Sequence, residues 1–298
     1  MLATPLSPIV LFVYRRPAHT RQVLDALLRN PEAASTELFI YSDGPRRAEN
    51  APAVQSVRAL CRDLRGFANV TLVERQENWG LARSVLAGVS EICASHGRTI
   101  VLEDDLIVSP HFLEYLNSAL KKYCDADKVM QISAHMFPVP WVSKFDAAFL
   151  PMTTSWGWAT WQRVWSTFQP HVIGPSLVAG RGMRKAFDLD GSYPYFRMLL
   201  NQESGTVDSW AIKWWLHVFL QKGITLFPAH SLVQNIGFDN SGTHCGLGNP
   251  SDEELTDFQV AEFPNVEIDY SQFEKVKDHL SVRYPNRDLL DKLKGLFK

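Results

Sequence analysis

The chain has little to hold it together covalently. Its 298 residues include four cysteines, Cys61, Cys93, Cys124 and Cys245, none in a paired metal-binding spacing. A chain of this length buries a substantial core without disulfide staples, so a reducing, cytoplasmic setting is expected. Net charge is almost absent, at −2, which leaves no broad basic footprint for nucleic acid. No apolar run reaches the roughly 20 residues of a membrane-spanning helix. The apolar stretch at 9–14 is too short for the core of a secretory signal and has no basic segment before it. Internal repeats and low-complexity linkers are missing as well, and the length suits one large domain or two small ones.

What the first half does contain is a regular alternation of short apolar runs and amphipathic stretches. Strands are predicted at 9–14, 38–41, 70–73 and 100–102. Between them lie a helix at 21–29 with Val23, Leu24, Leu27 and Leu28 on one face, a helix carrying Val54, Val57 and Leu60, and a helix at 81–92. Repeated strand–helix units imply an α/β fold, a mainly parallel central sheet with helices on both faces. The second half is less regular, broken by Pro138, Pro140, Pro151, Pro170 and Pro175. It offers an aromatic helix at 208–220, a short strand at 224–227, a long Gly/Asn/Ser/Thr-rich loop at 235–249, and a helical tail from about Asp269. Tryptophan is abundant; the helix-like spacing of Trp158, Trp161 and Trp165 points to core packing, although aromatic faces also stack on sugars.

The fourth apolar run ends abruptly in Glu103, Asp104 and Asp105. Three adjacent carboxylates repel one another and are costly to desolvate without a positive neighbour. A divalent cation carrying a substrate phosphate supplies one, since Mg²⁺ and Mn²⁺ take carboxylate, phosphate and water oxygens together. The plainer alternative is a solvated strand end leading into a helix whose start is marked by Ser109-Pro110 and whose apolar face carries Phe112, Leu113, Leu116 and Leu120. In open α/β sheets ligands bind at the carboxyl ends of the strands. Those ends present Arg16 in Tyr14-Arg15-Arg16-Pro17, then Asp43 in Ser42-Asp43-Gly44-Pro45, then Asn78-Trp79-Gly80-Leu81-Ala82-Arg83, then the acids. A nucleoside diphosphate with its metal fits that set, and each residue also has an ordinary turn or solvent role.

With these residues in view, the segment from Val101 to Leu106 followed by Ser109-Pro110-His111-Phe112-Leu113-Glu114-Tyr115 resembles the metal-site segment of GT-A-fold glycosyltransferases, among them N-acetylglucosaminyltransferase I and related bacterial sugar transferases. The order of Arg16, Ser42-Asp43-Gly44, Ser155-Trp156-Gly157-Trp158 and Asp208-Ser209-Trp210 is also similar. The resemblance implies a GT-A domain over 1–264, with a nucleotide-sugar half at 1–105 and an acceptor half at 106–264, and a C-terminal helical extension at 265–298. It implies Asp105 as metal ligand for Mn²⁺ or Mg²⁺ and Asp43 as reader of uracil. Arg16, Arg83, Glu103 and Asp104 join Asp43 around the nucleotide-sugar. Trp156, Gly157, Trp158 and Trp210 are expected on the acceptor side, and Asp208 as the general base of an inverting transfer. A lone aspartate at a helix start is otherwise an N-cap. Glu203 is the rival base; His135 and His217 are expected to be structural. His244, in the 235–249 loop between Gly242 and Gly246, is a second candidate for the metal.

The function implied is hexosyl or N-acetylhexosaminyl transfer from a nucleotide-sugar, UDP-linked by resemblance, to a glycan or lipid-linked acceptor. The context is bacterial surface-polysaccharide or glycolipid assembly on the cytoplasmic face of the membrane. Leu289, Leu290, Leu293, Leu296 and Phe297 with Lys292, Lys294 and Lys298 suit either a peripheral membrane contact or packing, including a homodimer. Two rivals stand beside this reading. A sugar-phosphate nucleotidyltransferase would carry a Gly-rich basic loop after the first strand, where Arg15-Arg16-Pro17 has no glycine. A carbohydrate-binding module would use the tryptophans without catalysis.

Overall fold

The computed structural model describes residues 5–239 and 255–284. Four strands, β1 (Ile9–Val13), β2 (Glu37–Ser42), β3 (Asn69–Glu74) and β4 (Arg98–Glu103), pair in parallel in the order β3-β2-β1-β4. Helices α1 (Pro17–Leu27), α2 (Ala51–Arg62) and α3 (Leu81–His96) make the crossovers. Every residue of β1 is buried, as a parallel strand covered on both faces requires. The four strands centre on the four predicted apolar runs.

The chain continues through helices near 112–122, 210–220 and 270–283 and a strand near 224–228, all foreshadowed in the sequence, and through further elements that its pattern left blank. In chain order these are β5 (Leu106–Val108), α4 (Phe112–Lys122), β6 (Val129–Ser133), β7 (Ala147–Leu150), β8 (Trp158–Trp161), α5 (Gln162–Trp165), α6 (Arg181–Phe187), α7 (Tyr195–Glu203), α8 (Trp210–Leu220), β9 (Ile224–Pro228), β10 (Val233–Asn235) and α9 (Tyr270–Arg283). Strand β8 lies antiparallel between β4 and β6, with Ala159 opposite both Ile100 and Ile132. Beyond it β6 pairs with β9 in parallel and β9 with β7 antiparallel, giving an eight-stranded sheet of mixed but mainly parallel order. This is the α/β arrangement that the GT-A resemblance implies. A separate two-stranded ribbon joins β5 to β10, with Asn235 opposite Leu106.

Two local expectations change. Trp158 and Trp161 belong to a strand, not a helix; all four residues of β8 are buried, so the aromatics mark core on a different backbone. Helix α4 begins at Phe112 rather than at Pro110, and the Ser109 hydroxyl accepts from His111 N at 3.2 Å. Helix α9 starts where the tail was expected, capped by Asp269 accepting from Gln272 N at 3.0 Å. It packs on the β7 edge through Phe273, Val276 and Leu280, next to a bridge between Phe149 and Ile268. Among the described residues no helix is long and apolar enough to cross a membrane.

The aromatic core sits under the second half of the sheet. Trp158, 1% exposed, stacks on Trp210 at 5.1 Å and meets Trp214 at 5.9 Å. Their buried indole N–H groups find acceptors: Trp214 donates to Gln131 Oε1 at 2.6 Å and Trp165 to Ser90 Oγ at 2.9 Å. The stack fixes the start of α8 against β8.

Candidate active site

The parallel register sets Glu103 beside Phe12, so the chain leaving β1 turns over the acids that end β4. Arg16, just before α1, reaches back. Its Nη2 donates to Asp104 Oδ1 and, at 2.9 Å, to Asp105 Oδ2. Tyr14 N adds a bond to Asp104 Oδ2 at 3.3 Å. Asp104 and Asp105 are both buried. Burial, reinforced by the two neighbouring charges, raises the Glu103 carboxyl well above the usual carboxylate range. Burial also raises Asp104, against the pull of Arg16. Burial works against the Arg16 charge too, but the two carboxylates outweigh it and hold the guanidinium protonated. The triplet therefore has its positive neighbour in Arg16. The other terminal nitrogen, Nη1, is buried with no hydrogen-bond partner among the described residues, a donor that they leave open.

At the end of β2, Asp43 is tied down by backbone. Its Oδ1 accepts from Gly44 N at 3.0 Å and Trp79 N at 2.8 Å, and Oδ2 accepts from Gly80 N at 2.9 Å. One acceptor position remains on Oδ2. Arg58, on α2, braces the same corner, donating to Ser42 Oγ at 3.1 Å and to Arg75 O at 2.6 Å. Trp79 lies between two guanidiniums, those of Arg75 and Arg83, each 4.0 Å from its ring centre. Arg75 is buried and bonded to Ser84 Oγ; Arg83 is exposed on the first turn of α3.

Asp208 comes to this edge from the other half of the molecule. A side-chain carbon built on Gly80 would lie 3.7 Å from Asp208 Oδ2. Asp208 does not cap α8. The N-cap is Ser209, no side chain caps the helix, and Ser209 N donates to Gln202 Oε1. Asp208 is exposed and makes no hydrogen bond or ion pair with the described residues. Glu203 lies elsewhere, against Gly174, with its Oε2 3.9 Å from Lys213 Nζ.

A third strand end closes over the acids. Ribbon β5–β10 carries Ile236 N to Asp105 O at 2.9 Å, and Asn235 Oδ1 accepts from Gly237 N at 2.7 Å. A side-chain carbon on Gly237 would lie 2.3 Å from Asp105 Oδ2. Phe238 then meets Trp156 edge to face at 5.7 Å, and Asp239 Oδ2 lies 3.2 Å from His19 Nε2 on α1.

These positions test whether a divalent cation fits. Among the described residues no three His, Cys, Asp or Glu side chains form a group able to hold an ion. The described chain does not cage a metal by itself. A cation arriving on a diphosphate needs only one or two carboxylates, with phosphate and water oxygens completing the shell. Asp105 supplies one such carboxylate: it is buried at the end of β4, with its Oδ2 paired to Arg16 at 2.9 Å.

The structure thus gathers Arg16, Glu103, Asp104 and Asp105 into one cluster and Asp43, Arg83 and Asp208 around the start of α3. It does not place all the acceptor-side candidates at a surface. Trp158 and Trp210 are core, each under 6% exposed, and offer no free face for a sugar. Gly157 is buried too; at φ +61° a side chain there would meet Val233 Cγ1 at 2.6 Å, so it is a packing glycine. Only Trp156 of that group stays partly exposed, beside His135 and Phe238. His217, buried and 3.1 Å from Thr167 Oγ1, is held below the usual imidazole range by burial. His244 and the apolar–basic tail from Leu289 lie outside the described residues. Sequence reasoning missed Gly237 and Arg75; the glycine stood in the loop singled out as functional, whereas nothing marked Arg75.

The comparisons follow from this geometry. No curated protein matches the chain. Among solved structures, a mannosyltransferase from Pyrobaculum calidifontis in complex with GDP-Man and Mn²⁺ is 12% identical, covering 72% of this chain and 69% of its own, at a TM-score of 0.38. A cytidylyltransferase from Leptospira borgpetersenii is 6% identical, covering 54% of this chain and 63% of its own, at a TM-score of 0.33. These are distant likenesses, and the family assignment does not rest on them. The family model of glycosyl transferase family 2 matches residues 9–187, from β1 to the end of α6 and so across the whole acidic cluster, stopping before Asp208 and Gly237. With well over half of its length matched, the chain belongs to glycosyl transferase family 2.

Proposed function

We propose that this glycosyltransferase moves a hexosyl or N-acetylhexosaminyl group from a UDP-linked donor to a hydroxyl of a glycan or lipid-linked acceptor, with inversion and with Mn²⁺ or Mg²⁺. The donor occupies the edge formed by the ends of β1, β2 and β4. Asp43 Oδ2, with one acceptor position left, takes the N3–H of uracil. Arg16 turns its unpartnered Nη1 to the diphosphate, and Arg83 adds charge at the start of α3. Asp105 would hold the cation; bound there, the ion would stabilise the charge developing on the departing diphosphate. Asp208 accepts the proton of the acceptor hydroxyl as that oxygen attacks the anomeric carbon. The carbon–oxygen bond to the diphosphate breaks, and its electron pair leaves with the nucleotide.

The observation that carries this reading is a contrast: an acidic cluster buried and braced at the end of β4, and at the start of α3 an exposed carboxylate that bonds to none of the described residues. A peripheral membrane contact and a homodimer remain proposals that rest on the sequence of the tail. A thermal-shift series with UDP, GDP and CDP, each with and without Mn²⁺, tests the donor site. UDP with Mn²⁺ is expected to raise the melting temperature most, in proportion to the logarithm of ligand concentration over Kd. Asp105→Ala should lose the Mn²⁺-dependent part of that shift. An undiminished shift in the variant overturns the metal assignment, and equal shifts for the three nucleotides overturn the role of Asp43.

A further inference from the structure

Gly237 is a glycine for which backbone conformation gives no reason. The glycines with positive φ among the described residues are Gly66, Gly80, Gly97, Gly157, Gly191 and Gly205. Gly237 is not one of them, so any residue could adopt its backbone. What forbids a side chain there is space: the added carbon would lie 2.3 Å from Asp105 Oδ2, 3.0 Å from Asp105 Cγ and 3.1 Å from Asn235 Oδ1. Real contacts of that kind are not made. The main chain at this point is pressed against the one carboxylate assigned to the cation, and against the oxygen that Arg16 also holds.

The approach is built, not incidental. Four independent ties place it. Strand β10 pairs with β5, which begins one residue after Asp105. Ile236 N donates to the Asp105 carbonyl at 2.9 Å. Asn235, buried, folds its amide oxygen onto Gly237 N at 2.7 Å and shapes the turn. Past the glycine, Phe238 rests on Trp156 and Asp239 faces His19, so the segment spans from the acceptor-side aromatic to the first helix of the nucleotide half. The family match ends long before it.

We infer that the turn 235–239 forms the second wall of the cation–diphosphate site, with Gly237 as a positioning residue that sets the clearance around Asp105. The first wall is the braced floor of Arg16, Asp104 and Asp105. The second is main chain, brought within van der Waals distance only because position 237 has no side chain. Its contribution is to hold the rotamer of Asp105, which a methyl group at position 237 would push aside. Neighbours that orient a metal ligand typically affect metal affinity about 10–100-fold. The inference rests on the assignment of Asp105 to the metal, and it concerns the chain's own clearance.

The test measures binding. Isothermal titration follows whichever of UDP, GDP and CDP the wild type binds best, once with Mn²⁺ and once with EDTA. Gly237→Ala is expected to weaken the Mn²⁺-dependent binding about tenfold or more while metal-free binding stays within about twofold. In an Asp105→Ala background the same substitution should have no further effect on the Mn²⁺-dependent part. Equal weakening with and without metal, or no weakening at all, overturns the inference. If Asp105→Ala itself leaves Mn²⁺-dependent binding unchanged, the metal assignment fails instead, and the two failures are told apart. Should Gly237→Ala not fold, Phe238→Ala, which loosens the turn without crowding Asp105, is expected to lower Mn²⁺-dependent affinity alone. Unchanged Mn²⁺ dependence in that variant counts against the wall.

Discussion

The ends of the parallel strands and the turn before α8 treat their carboxylates in opposite ways. In the first region Asp43 accepts from three backbone N–H groups, and Asp104 is fixed by Tyr14 and Arg16. In the second, Asp208 stands exposed, two residues before a helix it does not cap. With the roles proposed above, pre-organisation accounts for the difference. Groups that receive a charged ligand work best when their geometry is already held, because ordering them on binding costs affinity. A group that must take up a proton has to keep an acceptor position free and stay within reach of the substrate. Firmness reaches Asp208 indirectly, through the tryptophan stack beneath α8.

The comparison can be broken most sharply at Asp208. Asp208→Asn removes the proposed proton acceptor from a side chain that bonds to none of the described residues. Turnover with saturating donor and acceptor should fall by roughly two to four orders of magnitude, while the melting temperature and nucleotide affinity stay unchanged. Near-normal turnover would move attention to Glu203 despite its place beside Lys213.

Next in size is the support beneath it. Trp210→Ala empties a core position stacked on Trp158, and large-to-small changes of this kind cost about 3–5 kcal/mol. Urea denaturation measures the loss. A loss under about 1 kcal/mol would mean that the start of α8 is held by something other than the stack.

Asp43→Ala sharpens the contrast from the other side. It strips the N–H groups of Trp79 and Gly80 of their acceptor, at about 1–3 kcal/mol for a buried unpaired group. Amide exchange at Trp79 and Gly80 should speed up, and Asp43→Asn should restore part of the protection. Unaltered exchange in the alanine variant would show that the strand end is organised without the carboxylate.

The smallest effect reports how tightly the parallel half is closed. Cys61 on α2 and Cys93 on α3 are buried, and burial pushes both thiols up to about 12. Thiolates are the reactive form, so a thiol reagent at pH 8 should modify exposed Cys124 and spare these two. The sign for stability follows. The thiols ionise at lower pH when unfolded than when folded, so their contribution is complete below the ordinary thiol range near 8.5 and is lost as pH rises toward 12. Fast labelling of Cys61 or Cys93 in the native protein would show a looser donor half.

The two regions were also unequally legible. Strands β1 to β4 announce themselves as apolar runs that end in turn residues or charge; β1 and β4 read most plainly, because strands covered on both faces must be apolar. Arg16, Asp43 and the acids could be read from the same pattern, since ligands gather at those ends. The tryptophans could not be sorted. Trp156 and Trp158 are separated by one glycine, yet one stays partly exposed and the other is sealed, because Trp156 lies before β8, across the positive-φ turn at Gly157, whereas Trp158 opens the buried strand. Asp208 looked like a cap because Ser209-Trp210 opens a helix; only the observed cap geometry removes that role. Gly237 was hidden for another reason: its constraint is a contact 132 residues distant in sequence, and no local pattern encodes it.

Strand β8 has a further consequence, for how such a chain can be taken apart. Because it pairs with β4 on one side and β6 on the other, the two halves proposed for donor and acceptor share one hydrogen-bonded sheet rather than meeting at a boundary. A fragment ending near residue 105 would retain Arg16, Asp43 and the acids but expose Arg98–Val101 as a long apolar edge with unpaired backbone groups, an invitation to intermolecular pairing. The first half of the chain is therefore not a transplantable module. Chimaeras that exchange acceptor specificity should join the parental chains outside the β4–β8–β6 seam, keeping these strands from a single parent.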